Sequence, residues 1–283
     1  MPFSSLLLPR LSVFAVLTLS FLSGAEVKAD AVKMPVSFGD LEALIQPASG
    51  EAITYGEAPT QSVLRYEVGP STRPMIMLVH GGCWSAEYSR DYLLPMATAL
   101  QDRGFEVWLP EYRRVGDEGG GWPGSLADIL AAVDLATSLS DRSLLLMGHS
   151  AGGHLALLAQ SERQKALGAR LIGNVALAGI TDLWRYGAGD NSCQQMVVPF
   201  LGGDGSLSRT DYDVASPQVR SYTHPVILMR GEVDSIVGPD QMELAGASRS
   251  IVPDAGHFDL VHPETPAFAA VLDAIETLVS ASQ

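Results

Sequence analysis

The feature that most constrains the fold is a short apolar run that ends abruptly in a serine between two glycines. Residues 144–147 read Leu-Leu-Leu-Met, residues 148–152 read Gly-His-Ser-Ala-Gly, and a helix-like pattern follows at once. The order of buried strand, tight turn and helix predicts a nucleophile elbow, in which the hydroxyl of Ser150 points out of a sheet. The alternative is a Gly-Ser turn that only joins a strand to a helix, and the pattern alone does not exclude it.

Length and composition indicate one large globular domain. The chain has 283 residues, of which 47% are hydrophobic, so it can bury a substantial core. The formal net charge is −14, and no run of Lys and Arg offsets it. These properties argue against a nucleic-acid partner but say little about the substrate, and the oligomeric state stays open.

Residues 1–29 have the pattern of a secretory signal peptide. Arg10 supplies a positive charge, residues 11–23 form a short apolar segment, and small residues that suit cleavage follow. The alternative is an uncleaved membrane anchor, but the apolar segment is short for a bilayer span. We therefore expect an exported protein, periplasmic or secreted, with no stable membrane insertion once the signal is removed.

The rest of the chain alternates strand-like and helix-like segments, which predicts an α/β fold with a mostly parallel central sheet and helices on both faces. Residues 61–283 are expected to form this domain, after an N-terminal extension at 30–60 with little regular structure. Residues 181–223 are rich in glycine and are expected to form a cap-like insertion over a site.

Individual elements can be placed from apolar periodicity and turn residues. Strands are predicted at residues 62–68, 75–79, 105–109, 144–147, 174–178, 225–230 and 249–252. Helices are predicted at residues 91–103, from a cap at Ser125 onward, after Ser150, at 241–247 and at 266–279.

A nucleophilic serine needs a base, and His257 is the best candidate among the six histidines. It lies in the loop after the last short strand, where active-site residues of open α/β sheets collect. The other five lie in the elbow, in a helix, before a proline or before the Gly81-Gly82 loop, and we expect them to be structural: His80, His149, His154, His224 and His262.

A histidine base needs a carboxylate that orients it, and Asp234 is the best placed. It follows the strand predicted at 225–230 and therefore lies at the same sheet edge as Ser150. Its expected role is to hold the imidazole tautomer and to stabilise the imidazolium. Three other acidic residues remain as alternatives: Glu232, Asp254 and Asp259.

The predicted reaction also needs backbone donors for an oxyanion. Ala151, the residue after the nucleophile, supplies one amide, and the loop that follows the strand at 75–79 offers those of Gly82 and Cys83. The alternative for this His-Gly-Gly-Cys-Trp loop, residues 80–84, is a plain strand-to-helix turn. The loop occurs together with the elbow, the acid and the histidine, and this combination argues against a plain turn.

The motifs at 80–84 and 148–155 together resemble the esterase/arylformamidase branch of the α/β-hydrolases, which carries an HGG-x-W oxyanion motif and a GHSAG elbow. The resemblance covers residues from about 62 to 280. It implies an α/β-hydrolase fold and a serine hydrolase with Ser150, Asp234 and His257 as catalytic triad. It also implies an oxyanion hole made by three residues: Gly82, Cys83 and Ala151.

Several residues bear on the substrate without deciding it. Trp84, Trp122 and Trp184 are candidates for an aromatic or acyl pocket, and each can equally be packing. Arg113 and Arg114 are able to bind a substrate carboxylate, but structural ion pairs are favoured.

The two cysteines and the histidine spacing complete the picture. Cys83 and Cys193 either form a disulfide, as an oxidising compartment allows, or remain free buried thiols. The histidines show no metal-binding spacing, so we expect no metal and no cofactor.

The leading hypothesis is a serine hydrolase that cleaves small carboxylic esters through an acyl-enzyme, with His257 acting first as base and then as acid. The same site is compatible with an N-formyl arylamide, as in an arylformamidase, or with a short peptide, as in prolyl-oligopeptidase-like enzymes. A non-catalytic binding domain on the same scaffold would be expected to have a damaged triad, and the sequence shows no such damage.

Overall fold

The computed structural model of the protein describes residues 1–2, 33–204 and 206–283. The chain divides into two units, Met1–Asp30 and Ala31–Gln283, and the fold is that of the second. Apart from its first two residues, the predicted signal peptide lies outside the described residues. Within the described part of the chain, no helix is both long enough and apolar enough to cross a membrane.

An eight-stranded sheet forms the centre of the fold, in the order β1-β2-β4-β3-β5-β6-β7-β8. The strands β1 and β2 are antiparallel to their neighbours at one edge, and the strands from β4 to β8 along the sheet are parallel. In chain order they are β1 (Glu51–Thr54), β2 (Ser62–Tyr66), β3 (Met75–Val79), β4 (Glu106–Pro110), β5 (Leu144–His149), β6 (Leu171–Leu177), β7 (Val226–Gly231) and β8 (Ser248–Val252).

Helices pack on both faces of this sheet, and every residue of β3 and β5 is therefore buried. Among the described residues, the α-helices are α1 (Phe38–Glu42), α2 (Leu94–Gln101), α3 (Gly124–Leu139), α4 (Ala151–Leu167), α5 (Leu183–Tyr186), α6 (Ser192–Gln195), α7 (Val197–Phe200), α8 (Arg209–Asp213) and α9 (Pro266–Ala281). The α/β-hydrolase fold predicted from the sequence is confirmed, and each of the predicted strands is present with ends shifted by a few residues.

The topology brings the ends of four parallel strands to one edge of the sheet. β3 lies between β4 and β5, so the loop after β3 and the turn after β5 emerge side by side. The loops after β7 and β8 open at the same edge, because all four strands run in the same direction. The candidate site is built from these four loops.

The N-terminal extension at 30–60 contains two short elements that the sequence did not predict. Helix α1 begins with a capping box between Ser37 and Asp40, and β1 pairs with β2 along its whole length. Three of the four residues of β1 are exposed, so the strand has no buried face. Backbone hydrogen bonds to β2 hold it in the sheet. An edge strand of this kind has no hydrophobic alternation for sequence reasoning to detect.

The helix predicted at 241–247 is absent. A short 3-10 helix, Pro239–Met242, is followed by extended chain, in which Met242 and Leu244 are both buried in a small cluster. A spacing of two residues between buried positions is that of extended backbone. Side-chain and backbone oxygens of Gln241 accept hydrogen bonds from Thr181, which holds this segment against the loop after β6.

Two further expectations need revision. Ser125 does not cap α3, which begins at Gly124; its hydroxyl donates instead to the carbonyl of Arg113. The described residues of the segment 181–223, expected to be a cap-like insertion, contain four short helices that the sequence did not predict, α5 to α8. Helices of four or five residues are too short to produce a recognisable periodicity.

Candidate active site

Ser150 lies in the turn between β5 and α4, as predicted, with φ 56° and ψ −123°. This backbone region is unfavourable for a residue with a side chain, so the turn is strained. Close packing holds it in place: a Cβ atom on Gly148 would lie 2.2 Å from the carbonyl oxygen of Gly152. A Cβ on Gly152 would lie 2.2 Å from that of Val79, so both positions require glycine.

The structure places Asp234 beside His257, with 2.8 Å between Oδ2 and Nδ1. The other carboxylate oxygen, Oδ1, accepts hydrogen bonds from the backbone amides of Ile236 at 2.8 Å and Val237 at 3.0 Å. Burial acts to raise the pKa of Asp234, but the hydrogen bond and charge of His257 and the two amides together lower it. The ionised carboxylate only accepts, so Nδ1 of His257 carries the proton and Nε2 is left as an acceptor.

Two of the three alternative carboxylates, those of Asp259 and Glu232, accept hydrogen bonds from backbone amides elsewhere. The Oδ2 atom of Asp259 accepts a hydrogen bond from the backbone amide of Gly256 at 2.8 Å. The Glu232 carboxylate accepts one from the backbone amide of Asp254 at 3.3 Å. The Asp259 carboxylate also accepts a hydrogen bond from the amide of Val36. This contact joins the N-terminal extension to the loop after β8 that carries His257, called the base loop below. The geometry therefore favours Asp234 as the partner of His257.

The loop 80–84 has an unusual backbone. Gly82, Cys83 and Trp84 all have positive φ, at 92°, 53° and 57°. A Cβ atom on Gly82 would lie 2.3 Å from Cβ of Tyr88, so only glycine fits this position. Within the described chain, the amides of Gly82 and Cys83 make no hydrogen bond, and Ala151 is the first residue of α4, whose amide has no partner in the helix.

A disulfide joins Cys83 to Cys193, with 4.9 Å between the two Cα atoms. This pairing settles the alternative that the sequence left open. It links the loop that follows β3 to helix α6 of the segment 181–223. Both cysteines line a cavity that also contains Ser150 and His257. The strained backbone at Cys83 is thus held from one side by a covalent bond.

The cavity at this sheet edge has a volume of about 180 Å³ and contains Ser150 and His257 in its wall. Its lining is predominantly apolar and includes four aromatic side chains, Phe38, Tyr88, Tyr92 and Phe258. The remaining wall is formed by Gly82, Cys83, His149, Ser192, Cys193 and Ile236. One small pocket thus contains the predicted nucleophile, the predicted base and part of the loop 80–84, called the oxyanion loop below.

None of the three tryptophans proposed for substrate binding lines this cavity. Trp84 is fully buried, stacks on Phe200 at 4.8 Å and donates its indole N–H to His154. Trp122 lies near the same phenylalanine, and Trp184 is 43% exposed and packs edge-on against Tyr212. The left-handed backbone at Trp84 turns its ring into the core, an outcome that no sequence pattern indicates.

Sequence reasoning missed the four aromatic residues of the wall. Tyr88 and Tyr92 follow the 80–84 loop and Phe258 follows His257, so their proximity to the predicted site was an available signal. Phe38 lies in the extension and offers none, because α1 reaches the site only through tertiary packing.

The arginines next to the site make structural ion pairs, as favoured. The guanidinium of Arg113 donates to both carboxylate oxygens of Asp128, at 2.9 and 2.7 Å. Arg114 pairs with Glu111 at 3.0 Å, and His80 contacts the same carboxylate at 2.7 Å. Burial acts to raise the pKa of Glu111, but His80 and Arg114 lower it to about 2. This buried network supports the loop that starts at His80.

Among the described residues, no group of three or more His, Cys, Asp and Glu side chains is arranged to hold a metal ion. Of the other histidines, His154 is fully buried and donates from Nε2 to the carbonyl of Ala215 at 2.7 Å. His224 contacts the carbonyl of Gly168 at 2.9 Å, and His262 accepts the amide of Glu264 at 3.3 Å.

Comparison with known proteins agrees with this architecture. The model of the BD-FAE family matches residues 65–247, well over half of the chain. Among curated proteins, no sequence matches.

Similar solved structures share the fold at low sequence identity. Esterase B from Lactobacillus Rhamnosis has 21% identity and a TM-score of 0.64, over 87% of this chain and 90% of that one. A hormone-sensitive lipase from a metagenome library has 17% identity and a TM-score of 0.65, over 86% and 91%. A truncated carbohydrate esterase from gut microbiota has 17% identity and a TM-score of 0.63, over 83% and 97%.

Proposed function

Because this chain belongs to the BD-FAE family, we propose that it is a serine hydrolase that cleaves small carboxylic esters. One observation carries the proposal: the strained Ser150, His257 and the loop residues Gly82 and Cys83 line one pocket, and Asp234 is hydrogen-bonded to His257 behind it. The esterases among the similar structures support it.

In the proposed first half-reaction, Oγ of Ser150 attacks the ester carbonyl while Nε2 of His257 takes its proton. The amides of Gly82, Cys83 and Ala151 donate to the oxyanion of the tetrahedral intermediate. When this intermediate collapses, the ester C–O bond breaks and the proton on His257 passes to the leaving alcohol. The acyl group is then bound to Ser150.

In the second half-reaction, His257 removes a proton from water, which attacks the acyl carbonyl. When this second intermediate collapses, the bond between the acyl carbon and Oγ of Ser150 breaks, the proton on His257 returns to Oγ, and the carboxylic acid is released. In both halves the Asp234 carboxylate stabilises the imidazolium and keeps its orientation without taking a proton. Its lowered pKa suits this role, because the carboxylate stays ionised throughout.

The pocket favours a small or flat substrate group. Its volume of about 180 Å³ and its aromatic wall fit a short acyl chain or a single ring better than an extended peptide. The same wall supports a second candidate, hydrolysis of an N-formyl arylamide. That reaction differs in the leaving group, since the amine has to be protonated by His257 as the C–N bond breaks.

A substrate panel tests the proposal. We expect p-nitrophenyl esters from acetate to butyrate to be hydrolysed faster than the octanoate, N-formylkynurenine or a peptide anilide. The Ser150→Ala variant should retain the fold, measured by circular dichroism, and lose turnover of every substrate. Preferred hydrolysis of N-formylkynurenine would favour the second candidate, and full activity of Ser150→Ala would refute the proposed nucleophile.

We further propose that residues 1–29 direct export. The Cys83–Cys193 disulfide supports this proposal, because disulfides persist in oxidising compartments. Mass spectrometry of the protein released by its native host should show a first residue near Glu26 or Asp30. An intact Met1 would contradict a cleaved signal.

A further inference from the structure

Two buried side chains that are not members of the proposed triad connect the loops of the candidate site. We propose that Tyr92 and His149 are positioning residues that hold the oxyanion loop and the base loop in a fixed arrangement around Ser150. The inference rests on the proposed function, because it assigns these residues a role in the same reaction.

The contacts form one continuous chain. The amide of Gly81 donates to the hydroxyl oxygen of Tyr92 at 2.6 Å, and this hydroxyl lies 2.9 Å from Nδ1 of His149. The other ring nitrogen, Nε2 of His149, lies 3.0 Å from the backbone carbonyl oxygen of His257. Both side chains are buried, with exposures of 4% for Tyr92 and 1% for His149.

The direction of every hydrogen bond follows from the groups involved. The carbonyl oxygen of His257 only accepts, so Nε2 of His149 carries a proton and donates. Burial first, and the charge of His257 second, lower the pKa of His149 to about 3, so the ring is neutral and its Nδ1 accepts from Tyr92. The tyrosine oxygen then accepts from Gly81, so the Tyr92 hydroxyl and both ring nitrogens of His149 each have a hydrogen-bond partner.

These contacts join the three parts of the site that the reaction brings together. Gly81 immediately precedes Gly82 and Cys83, whose amides receive the oxyanion, and His149 immediately precedes the nucleophile. The third contact fixes the backbone of the base itself. A misplacement of about 1 Å between such groups can lower a rate on the order of 100-fold, so a fixed arrangement has direct kinetic value.

The neutrality of His149 also matters for its neighbour. The rings of His149 and His257 lie 4.5 Å apart, centroid to centroid. A second positive charge at this distance would oppose formation of the His257 imidazolium, whereas a neutral ring does not. The ring of Tyr92 also packs edge-on with that of His149, at 5.8 Å between centroids, which helps to keep the His149 ring in place.

The chain offers a matched control in Tyr112. This residue is also fully buried, and its hydroxyl donates to the carbonyl of His80 at 3.1 Å. It therefore contacts the same loop as Tyr92 does. Among the described residues, its hydroxyl contacts carbonyls of that loop and not His149.

The kinetic test compares Tyr92→Phe with Tyr112→Phe, since each removes one buried hydroxyl and keeps the ring. We expect Tyr92→Phe to lower kcat on the order of 10- to 100-fold on p-nitrophenyl acetate, with KM changed less than about 3-fold. Tyr112→Phe should lower kcat clearly less. Equal losses in the two variants, or an effect confined to KM, would overturn the positioning role.

Variants of His149 provide a second test should Tyr92→Phe fold poorly. A glutamine at this position can both donate and accept, whereas a leucine can do neither. We expect His149→Gln to retain at least about 10-fold more kcat than His149→Leu when both are folded by circular dichroism. Equal kcat values in the two variants would contradict the hydrogen-bonded role.

A measurement that does not depend on turnover is the ¹⁵N spectrum of histidine-labelled protein at pH 7. His149 should give the signature of a neutral ring protonated at Nε2, and its Nδ1 resonance should shift in Tyr92→Phe but not in Tyr112→Phe. A doubly protonated His149 or an unchanged Nδ1 resonance would overturn the inference.

Labelling of Ser150 by a fluorophosphonate reports on the proposed function separately. A wild-type protein that is neither labelled nor active would refute that function. A wild type that is labelled normally, together with an unchanged kcat in Tyr92→Phe, would refute only the positioning role.

Discussion

Loss of the Cys83–Cys193 disulfide should both destabilise the protein and weaken the proposed oxyanion hole. The substitution Cys193→Ser removes the bond without altering Cys83, a proposed oxyanion donor. Ser192→Ala is the matched control, because it changes the adjacent residue of α6, which also lines the pocket, and leaves the bond intact.

The size of the stability effect follows from the chain enclosed by the bond. The cysteines are 110 residues apart, and closing a loop of that length removes roughly 16 cal/mol/K of unfolded-state entropy, or about 5 kcal/mol at 25 °C. For a domain of this size, about 1 kcal/mol shifts Tm by roughly 2–4 °C. We therefore expect Cys193→Ser to lower Tm by about 10–20 °C.

The effect on turnover follows from the backbone of the loop. Cys83 has φ 53°, a conformation unfavourable for a side-chain-bearing residue, and the disulfide is one of the contacts that hold it there. If the released loop rotates the Cys83 amide away from the oxyanion, the loss of one donor lowers kcat by up to about 10²- to 10³-fold. We expect a kcat decrease within this limit and at least about 10-fold.

Thermal unfolding followed by circular dichroism measures the first effect, and hydrolysis of p-nitrophenyl acetate measures the second, each with and without a thiol reductant. Reductant should shift the wild type towards Cys193→Ser and leave that variant unchanged, while Ser192→Ala should resemble the wild type in Tm. Two titratable thiols in the untreated native protein, or a Tm shift below about 2 °C, would refute the reasoning.

Three further predictions concern the site. Burial lowers the pKa values of His149 and His154 from the usual 6.5 to about 3 and about 4. Above pH 6.5 both rings are neutral in the folded and unfolded states, so they do not make the free energy of unfolding depend on pH there. Between pH 6 and 4 each should reduce the free energy of unfolding by about 1 kcal/mol per pH unit, and a His154→Gln variant whose stability falls with pH as steeply as that of the wild type in urea titrations would contradict this. Asp234→Asn should keep KM and lower kcat by about 10⁴-fold in steady-state assays, because the wrong imidazole tautomer is then favoured; a loss below about 10-fold would exclude Asp234 as the orienting carboxylate. Gly82→Ala should lower kcat by at least about 10²-fold, since its Cβ would lie 2.3 Å from that of Tyr88, and wild-type kinetics from this variant would show that the loop is not fixed as described.

The parts of the fold that sequence reasoning predicted share a strong local signal. The strand β5 is buried at every residue, and its apolar run ends in glycines that the close backbone packing requires. The positions of Asp234 and His257 were inferred from strand ends, because parallel strands place their C-terminal loops at one edge. Their 2.8 Å contact then agrees with that inference.

The parts that were missed depend on tertiary contacts. The strand β1 is held by pairing with β2 rather than by burial, and Phe38 reaches the pocket only because α1 packs there. Trp84 was expected to be a possible pocket residue, but three successive positive φ values turn its ring into the core. The disulfide partner of Cys83 was likewise beyond sequence reasoning, since spacing alone does not show which thiols meet.

The central claim is that Ser150 is an activated nucleophile. The most direct measurement is the intact and peptide mass of the full chain after reaction with a fluorophosphonate, for the wild type and for Ser150→Ala. The proposed mechanism predicts one adduct per chain, on the peptide that contains Ser150, and no adduct in the variant. A wild type that remains unlabelled, or an adduct on a different serine, would contradict the claim.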